Sequence, residues 1–323
     1  MIRSARLLGD IGATNARFAI YDENRQVRGV RVTSVESYGS LREAIEAYLT
    51  AEGIAKPLRA AALAVASPVT EDSVKMTNHP WSFSISGLRH DLQIGDLVVI
   101  NDFTANALAV PHLKPEERVV IGGGTALPDT PIAVLGPGTG LGVSGLIPTH
   151  GSWMPLASEG GHATMAGFDD QESEVLARLR RRYGHVSAER VLSGQGLVNL
   201  YQVLAEIAGV DVEPYTPAQI SDRALRKRDP ICQSALRMFC AMLGGMAGDL
   251  ALTLGARGGV YMAGGIVPRL GNGFLGDIFR QRFESKGRFR TYLSAIPTFI
   301  ITAAVPAFLG LVEILDHEDH EKN

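Results

Sequence analysis

A two-domain α/β protein is the fold class that this sequence predicts, and three observations carry it. The chain's 323 residues are more than one hydrophobic core comfortably serves. A strand, a glycine turn and a strand occur near the N-terminus and again from Ile132, so two similar halves are expected. Elsewhere short apolar runs alternate with stretches of helical periodicity, the mixture of an α/β chain.

Leu7 and Leu8 read as an apolar strand, followed by a tight polar turn and a second strand through Phe18, Ala19 and Ile20. So short a turn makes a β-hairpin, with Gly9 and Gly12 as small, conformationally permissive positions. Val27 to Val32 adds a third antiparallel strand, and the apolar spacing of Leu41 to Ala51 predicts a helix. Ala60 to Ala66 reads as a buried strand before Ser67-Pro68, Val74 to Thr77 as another, and Asn78-His79-Pro80-Trp81 as a turn. Leu97 to Ile100 is a buried strand ending at Asn101-Asp102, with a helix over Thr104 to Val110. This order of elements resembles one half of the ribonuclease-H-like, actin-like fold.

The second hairpin comprises Ile132 to Leu135, the turn Gly136-Pro137-Gly138-Thr139-Gly140, and Leu141 to Leu146. Helices are predicted over Glu172 to Arg182, Gly196 to Ala208, Thr216 to Arg226 and Pro230 to Leu254, with Ser187 to Arg190 opening another. Val260 to Ala263 is a strand running into Gly264-Gly265, and Phe274 to Glu284 is helical. Thr298 to Thr302 is the final strand, Ala307 to Leu315 the final helix, and the acidic tail Asp316 to Asn323 is expected to fray. No low-complexity linker interrupts the chain, so the domains are expected to cross by short connections. The expected domains are 1–112 with 303–323, and 113–302.

Composition excludes several classes. A net charge of −3 leaves no basic excess to attract nucleic acid. Arg178, Arg180, Arg181 and Arg182 cluster, but Glu174 precedes Arg178 by four residues, as on a solvated helix face. Cys232 and Cys240 are the only cysteines, too few for a disulfide framework or a four-cysteine zinc site. The eight histidines show no H-E-x-x-H spacing. Asp10 interrupts any N-terminal signal core, and Asp249 and Arg257 break the apolar stretch Met238 to Gly259, which reads as a buried helix. A cytoplasmic protein without a membrane partner is expected.

The polar residues of the turns suggest chemistry. Asp10 stands among Gly9, Gly12, Thr14 and Asn15, where backbone N–H groups could cradle phosphate and the carboxylate could hold Mg²⁺ or its waters. An ordinary hairpin with an Asx-type Asp competes with that reading. Asp102, at a strand's end, is either a helix N-cap or a general base for a substrate hydroxyl. Gly138-Thr139-Gly140 offers a second phosphate clamp and Gly264-Gly265 a third glycine turn; each is also an ordinary terminator. Glu159 and His162 flank two glycines, suited to pairing with vicinal sugar hydroxyls or equally to a surface loop. Glu189 is a further sugar-facing candidate, against which stands an exposed Glu at a helix start.

These segments together resemble the bacterial glucokinase family, the ATP-dependent group lacking a cysteine-rich zinc motif. The resemblance is carried by Gly9-Asp10-Ile11-Gly12-Ala13-Thr14-Asn15-Ala16-Arg17, Met76-Thr77-Asn78-His79 and Ile100-Asn101-Asp102-Phe103-Thr104-Ala105. It continues through Gly138-Thr139-Gly140-Leu141-Gly142, Glu159-Gly160-Gly161-His162, His185 to Gly194 and Ala263 to Arg269, in order over nearly the whole chain. The resemblance implies a two-domain, actin- and hexokinase-like ATPase fold with a nucleotide and sugar cleft between domains, closing on sugar. It implies transfer of the ATP γ-phosphoryl group to the 6-hydroxyl of glucose, the first step of glycolysis, by a homodimer. Asp102 would be the base, and Asn101, Asp102, Glu159, His162 and Glu189 would hold glucose. ATP would meet Gly9, Asp10, Ile11, Gly12, Ala13, Thr14, Asn15, Arg17, Gly138, Thr139, Gly140, Gly264 and Gly265, with Mg²⁺ on Asp10 through water.

Two departures stand out. Ala13 replaces a glycine usual in the family, and a methyl group there disfavours φ > 0. Val305-Pro306-Ala307-Phe308-Leu309-Gly310 replaces Asn-Pro-Gly-Leu-Leu-Gly, which predicts an altered turn near the nucleotide. Three alternatives stay open: a sugar-responsive regulator, an ATPase without a sugar site, and a kinase for mannose, fructose or glucosamine. A regulator of this kind usually carries a DNA-binding motif ahead of the first hairpin, and the hairpin begins at residue 7.

Overall fold

The computed structural model describes residues 5–77, 79–270 and 272–321; Asn78 of the quoted motif and Lys322 and Asn323 of the acidic tail lie outside them. The chain divides into two compact units, Met1–Leu113 with Ala303–Asn323, and Lys114–Thr302.

In the first unit, β1 (Arg6–Ile11), β2 (Asn15–Tyr21) and β3 (Val27–Ser34) form an antiparallel meander. Helix α1 (Leu41–Ala51) leads to β4 (Leu58–Val65), which pairs parallel with β1. The short hairpin β5 (Ser73–Lys75) and β6 (Ser82–Ser84), then α2 (Ile85–Asp91), precede β7 (Ile94–Asn101), parallel to β4. The sheet order is β3-β2-β1-β4-β7. Alternation sorts its side chains. Leu7, Ile11, Ala61, Leu63 and Val65 pack against Leu41, Ala44, Ile45, Tyr48 and Leu49, the apolar stripe of α1. Leu8, Ala19, Ala60, Ala62 and Ala64 face α3 (Asp102–Ala109) and the returning C-terminal helix α11 (Pro306–Glu321).

Two expectations for this C-terminal segment are corrected. Val305–Gly310 is not a turn but leads straight into α11, with Pro306 at its first position and Ala307 and Phe308 buried in the core. A side chain at Gly310 would collide with the Ala105 carbonyl, so glycine lets α11 cross α3 closely. Nor does the acidic tail fray from Asp316. The helix continues to Glu321, and Tyr21 donates its hydroxyl to Asp316 Oδ2 at 2.8 Å beneath the Arg6 guanidinium.

The second unit uses the same strand order with one addition. β9 (Ile132–Pro137), β10 (Leu141–Thr149) and β11 (Ser152–Leu156) are antiparallel. β12 (Val260–Met262) lies parallel to β9, and β13 (Thr298–Ile301) parallel to β12. The added strand, β8 (Arg118–Gly122), runs antiparallel along β13, giving the order β11-β10-β9-β12-β13-β8. Pro155 is tolerated because β11 is an edge strand.

The helices of this unit are α4 (Asp170–Tyr183), α5 (Gly194–Ala208), α6 (Pro217–Leu225), α7 (Pro230–Leu254), α8 (Val267–Leu270), α9 (Asn272–Glu284) and α10 (Arg290–Ser294). The 25-residue α7 is long and apolar enough to cross a membrane by length and composition, yet most of it is buried in this unit's core. Gly248 makes room for α9, since a Cβ there would stand 2.6 Å from the Phe283 carbonyl oxygen. Cys232 and Cys240 are buried on α7, and desolvation pushes both thiols up to about 12.

Candidate active site

The candidate residues fall into two groups, one in each unit. In the first hairpin, Gly12 N–H donates to the Asn15 carbonyl at 3.0 Å and Thr14 accepts from Val35 N–H at 3.1 Å. Asp10 is not in this turn, as the sequence suggested, but on β1 directly opposite Arg17. Arg17 Nη1 donates to its Oδ2 at 2.9 Å, so the partner is a cross-strand cation rather than an Asx-turn N–H. Burial pushes the Asp10 carboxyl above its usual range, and the Arg17 charge and hydrogen bond pull it back.

The glycines here are not conformational devices. Neither Gly9, Gly12 nor Ala13 has a positive φ. Gly9 is small because a Cβ would approach Leu63 Cδ2 to 2.6 Å. The Ala13 methyl therefore carries no backbone strain.

Asn101 ends β7 and Asp102 opens α3. The N-cap is Asn101 rather than Asp102: its Oδ1 accepts from Phe103 N–H at 2.8 Å and Thr104 N–H at 3.3 Å. Its Nδ2 donates to the Ser67 carbonyl at 3.4 Å, and Ser67 Oγ accepts from Thr77 N–H at 2.8 Å. The half-buried Asp102 carboxylate lies at the helix N-terminus and accepts from Phe103 N–H at 3.0 Å.

In the second unit the turn between β9 and β10 is closed by Gly138 N–H on the Gly140 carbonyl, 2.7 Å. The Gly138 carbonyl accepts from Gly194 N–H, the start of α5, at 2.9 Å. Gly264 does need its freedom: its φ is +86° and a Cβ would lie 2.6 Å from the Pro137 carbonyl oxygen. Ile266 N–H reaches that same oxygen at 3.4 Å, so the 264–265 segment abuts the turn.

Glu159 precedes and His162 ends a single helical turn, both about half exposed (51% and 54%), with His162 Nε2 and Glu159 Oε2 3.9 Å apart. A side chain at Gly161 would collide with the Leu141 carbonyl, so this loop is seated on the first residue of β10. The loop carrying Glu189 is stitched alongside. Ala188 N–H donates to the Ala163 carbonyl at 2.8 Å and Met165 N–H to the Val186 carbonyl at 3.0 Å. Glu189 does stand at a helix start, the single turn Ala188–Arg190, but it is not exposed: half-buried, its Oε2 accepts from Leu141 N–H at 3.0 Å. The second unit thus brings together the 138–140 turn, Glu159, His162, Glu189 and the 264–265 turn.

One pair that holds this site left no sequence signal. Glu172 is 2% exposed, accepts from Phe168 N–H at 2.9 Å, and meets Arg282 Nη1 at 2.7 Å. The Arg282 guanidinium also lies 3.9 Å over the Phe168 ring, pinning the stretch after His162 to α9. Behind it is a cavity of about 440 Å³ lined by Gly160, Phe168, Ala188, Met242, Met246 and Arg282. Among the described residues no cluster of three or more metal-ligating side chains occurs.

A glucokinase family model matches residues 7–318. The chain is 50% identical over 314 residues to a glucokinase of Aromatoleum aromaticum, covering 97% of this chain and 95% of that one. It is 49% identical to a glucokinase of Nitrobacter hamburgensis, covering 96% of each. A crystal structure of glucokinase from an Antarctic psychrotroph matches at a TM-score of 0.85 and 38% identity, over 97% of this chain and 99% of that one. A Balamuthia mandrillaris glucokinase in complex with glucose, 19% identical over 96% of this chain and 93% of that one, shares the fold at 0.79. The fold is the two-domain, ribonuclease-H-like architecture of actin and hexokinase.

Proposed function

The chain belongs to the glucokinase family and phosphorylates glucose at the expense of ATP, and from that premise we propose how its own residues do so. Asp102 is the general base. As the bond from the glucose 6-oxygen to the γ-phosphorus forms, that hydroxyl's proton passes to the Asp102 carboxylate. The bond from phosphorus to the bridging oxygen breaks, and ADP leaves with glucose 6-phosphate retained as product. The observation that carries this role is the division of labour at the head of α3: Asn101 performs the cap, and Asp102 presents a carboxylate at a fixed strand end. Phosphoryl transfer asks mainly for such positioning and charge neutralisation.

Asn101, Glu159, His162 and Glu189 hold the sugar hydroxyls. Asn101 Oδ1 is committed to the cap, so its amide N–H serves as the donor toward glucose. The segments Gly9 to Thr14, with Asn15 and Arg17, and Gly138 to Gly140 receive the phosphates, with Gly264 and Gly265 toward the nucleoside. The donor set fits Mg²⁺ held mostly by phosphates and water: one carboxylate, Asp10, with Oδ2 on Arg17, would hold the ion through water. When bound, the ion neutralises phosphate charge.

Replacing Asp102 with Ala is expected to lower kcat by about 10²- to 10⁴-fold while glucose still binds, read by ADP release and calorimetry. Near-wild-type turnover would overturn the base assignment. ADP release with glucose, mannose, fructose and glucosamine beside a no-sugar control sets the specificity. A homodimer in the cytoplasm is part of the same proposal, and analytical ultracentrifugation tests the dimer.

A further inference from the structure

We infer that Glu189 is also a positioning residue for the 138–140 turn, joining sugar binding to nucleotide binding through one carboxylate. The inference rests on the roles proposed above for Glu189 and for this turn. Two observations carry it.

The first is a hydrogen bond. Leu141 pairs with Pro137 at the turn end of the β9–β10 hairpin, and the Pro137 carbonyl accepts from Ile266. The Leu141 N–H, on a buried residue, is answered instead by Glu189 Oε2, from 48 residues along the chain. The second is the identity of Gly140. Its φ is not positive, so no conformational need explains a glycine. A Cβ there would collide with Glu189 Oε2, whereas its next neighbour, Cδ of the same side chain, is 3.4 Å away. Gly140 is small to admit the carboxylate.

The consequence is reciprocal coupling. A sugar that engages Glu189 fixes the acceptor on Leu141 and thereby orders the turn; phosphates that order the turn fix the carboxylate for the sugar. The carboxylate's charge works against nearby phosphate, so its value to the turn lies in accepting the hydrogen bond. A neutral acceptor in the same place serves the turn equally well.

Calorimetry on the full chain separates these roles, with glucose alone, the β,γ-imido analogue of ATP alone, and each with the other saturating. Glu189→Ala is expected to weaken glucose about 10-fold or more and the nucleotide analogue about 5-fold, abolishing their mutual enhancement. Glu189→Gln keeps an oxygen for Leu141 N–H and is expected to restore nucleotide affinity while glucose stays weakened. Gly140→Ala displaces a flexible side-chain end rather than backbone. It is expected to weaken glucose about 3- to 10-fold although its methyl lies on the phosphate turn. Unchanged nucleotide affinity in Glu189→Ala, equal nucleotide loss in Glu189→Gln, or wild-type glucose affinity in Gly140→Ala would each overturn the inference. Lost nucleotide affinity with wild-type glucose binding in Glu189→Ala would instead remove Glu189 from the sugar site and leave its positioning role standing.

Discussion

The two units share a five-strand order but hold their candidate residues by opposite means. In the first, Asp10 lies within a central strand and Asn101 and Asp102 at a strand-to-helix junction, so regular secondary structure fixes them. In the second, Glu159, His162 and Glu189 lie on loops that are fixed by being tied to one another and to Leu141. The hairpins differ likewise. Asp10 finds its partner, Arg17, across the same hairpin, whereas Leu141 N–H finds its partner on a distant loop. One scaffold therefore supports both local and long-range positioning. Damage to a distant anchor should be felt far more in the second unit.

The largest test of that contrast is the anchor itself. Arg282→Met leaves Glu172 buried without its cation and is expected to cost about 3–5 kcal/mol in urea unfolding, with a raised glucose KM. The double variant Arg282→Met/Glu172→Gln should recover part of the loss; a single variant as stable as wild type would break the contrast. A smaller effect is expected at the junction in the first unit. Asn101→Ala removes the cap of α3 and should cost about 1 kcal/mol, with weaker glucose binding measured by calorimetry.

The smallest effect carries a sign that sharpens the comparison. The folded Asp10 carboxyl is raised above 3.8, so the folded state binds this proton more tightly than the unfolded chain does. Its contribution to stability is full below 3.8 and is lost as pH rises through the folded value. Asp10→Asn should therefore be slightly more stable than wild type at neutral pH, with the difference shrinking toward pH 4, while nucleotide affinity falls. Urea titrations at the two pH values read it. A variant less stable at neutral pH would show that the Arg17 pairing outweighs burial.

Legibility in the sequence followed how local each cause was. Helices α1 and α7 were bounded correctly because their ends are written in neighbouring residues. Ser40 and Asp229 cap them, Pro230 begins α7, and Gly255 ends it with φ +63°. Helix α2 escaped notice because Gly87 interrupts a single short stretch, and β11 because of Pro155. Asp102 stands out as a candidate from its place at a strand end, and Glu159 and His162 from theirs beside glycines, with Glu189 a further candidate; the family resemblance adds Asn101. What they touch is not legible there, since the partners of Glu189 and Glu172 are brought near only by folding. The glycines were the least legible, because a glycine looks the same whether its reason is Leu63, Gly140's neighbour Glu189, or a positive φ as at Gly264.

The return of α11 to the first unit sets an order for synthesis on the ribosome. Lys114–Thr302 is one continuous stretch and can complete its core as soon as it emerges. The first unit was begun earlier but cannot cover Leu8, Ala19, Ala60, Ala62 and Ala64 until Phe308, Leu311 and Leu315 exist. Throughout that interval α3 alone shields that apolar sheet face in the nascent chain.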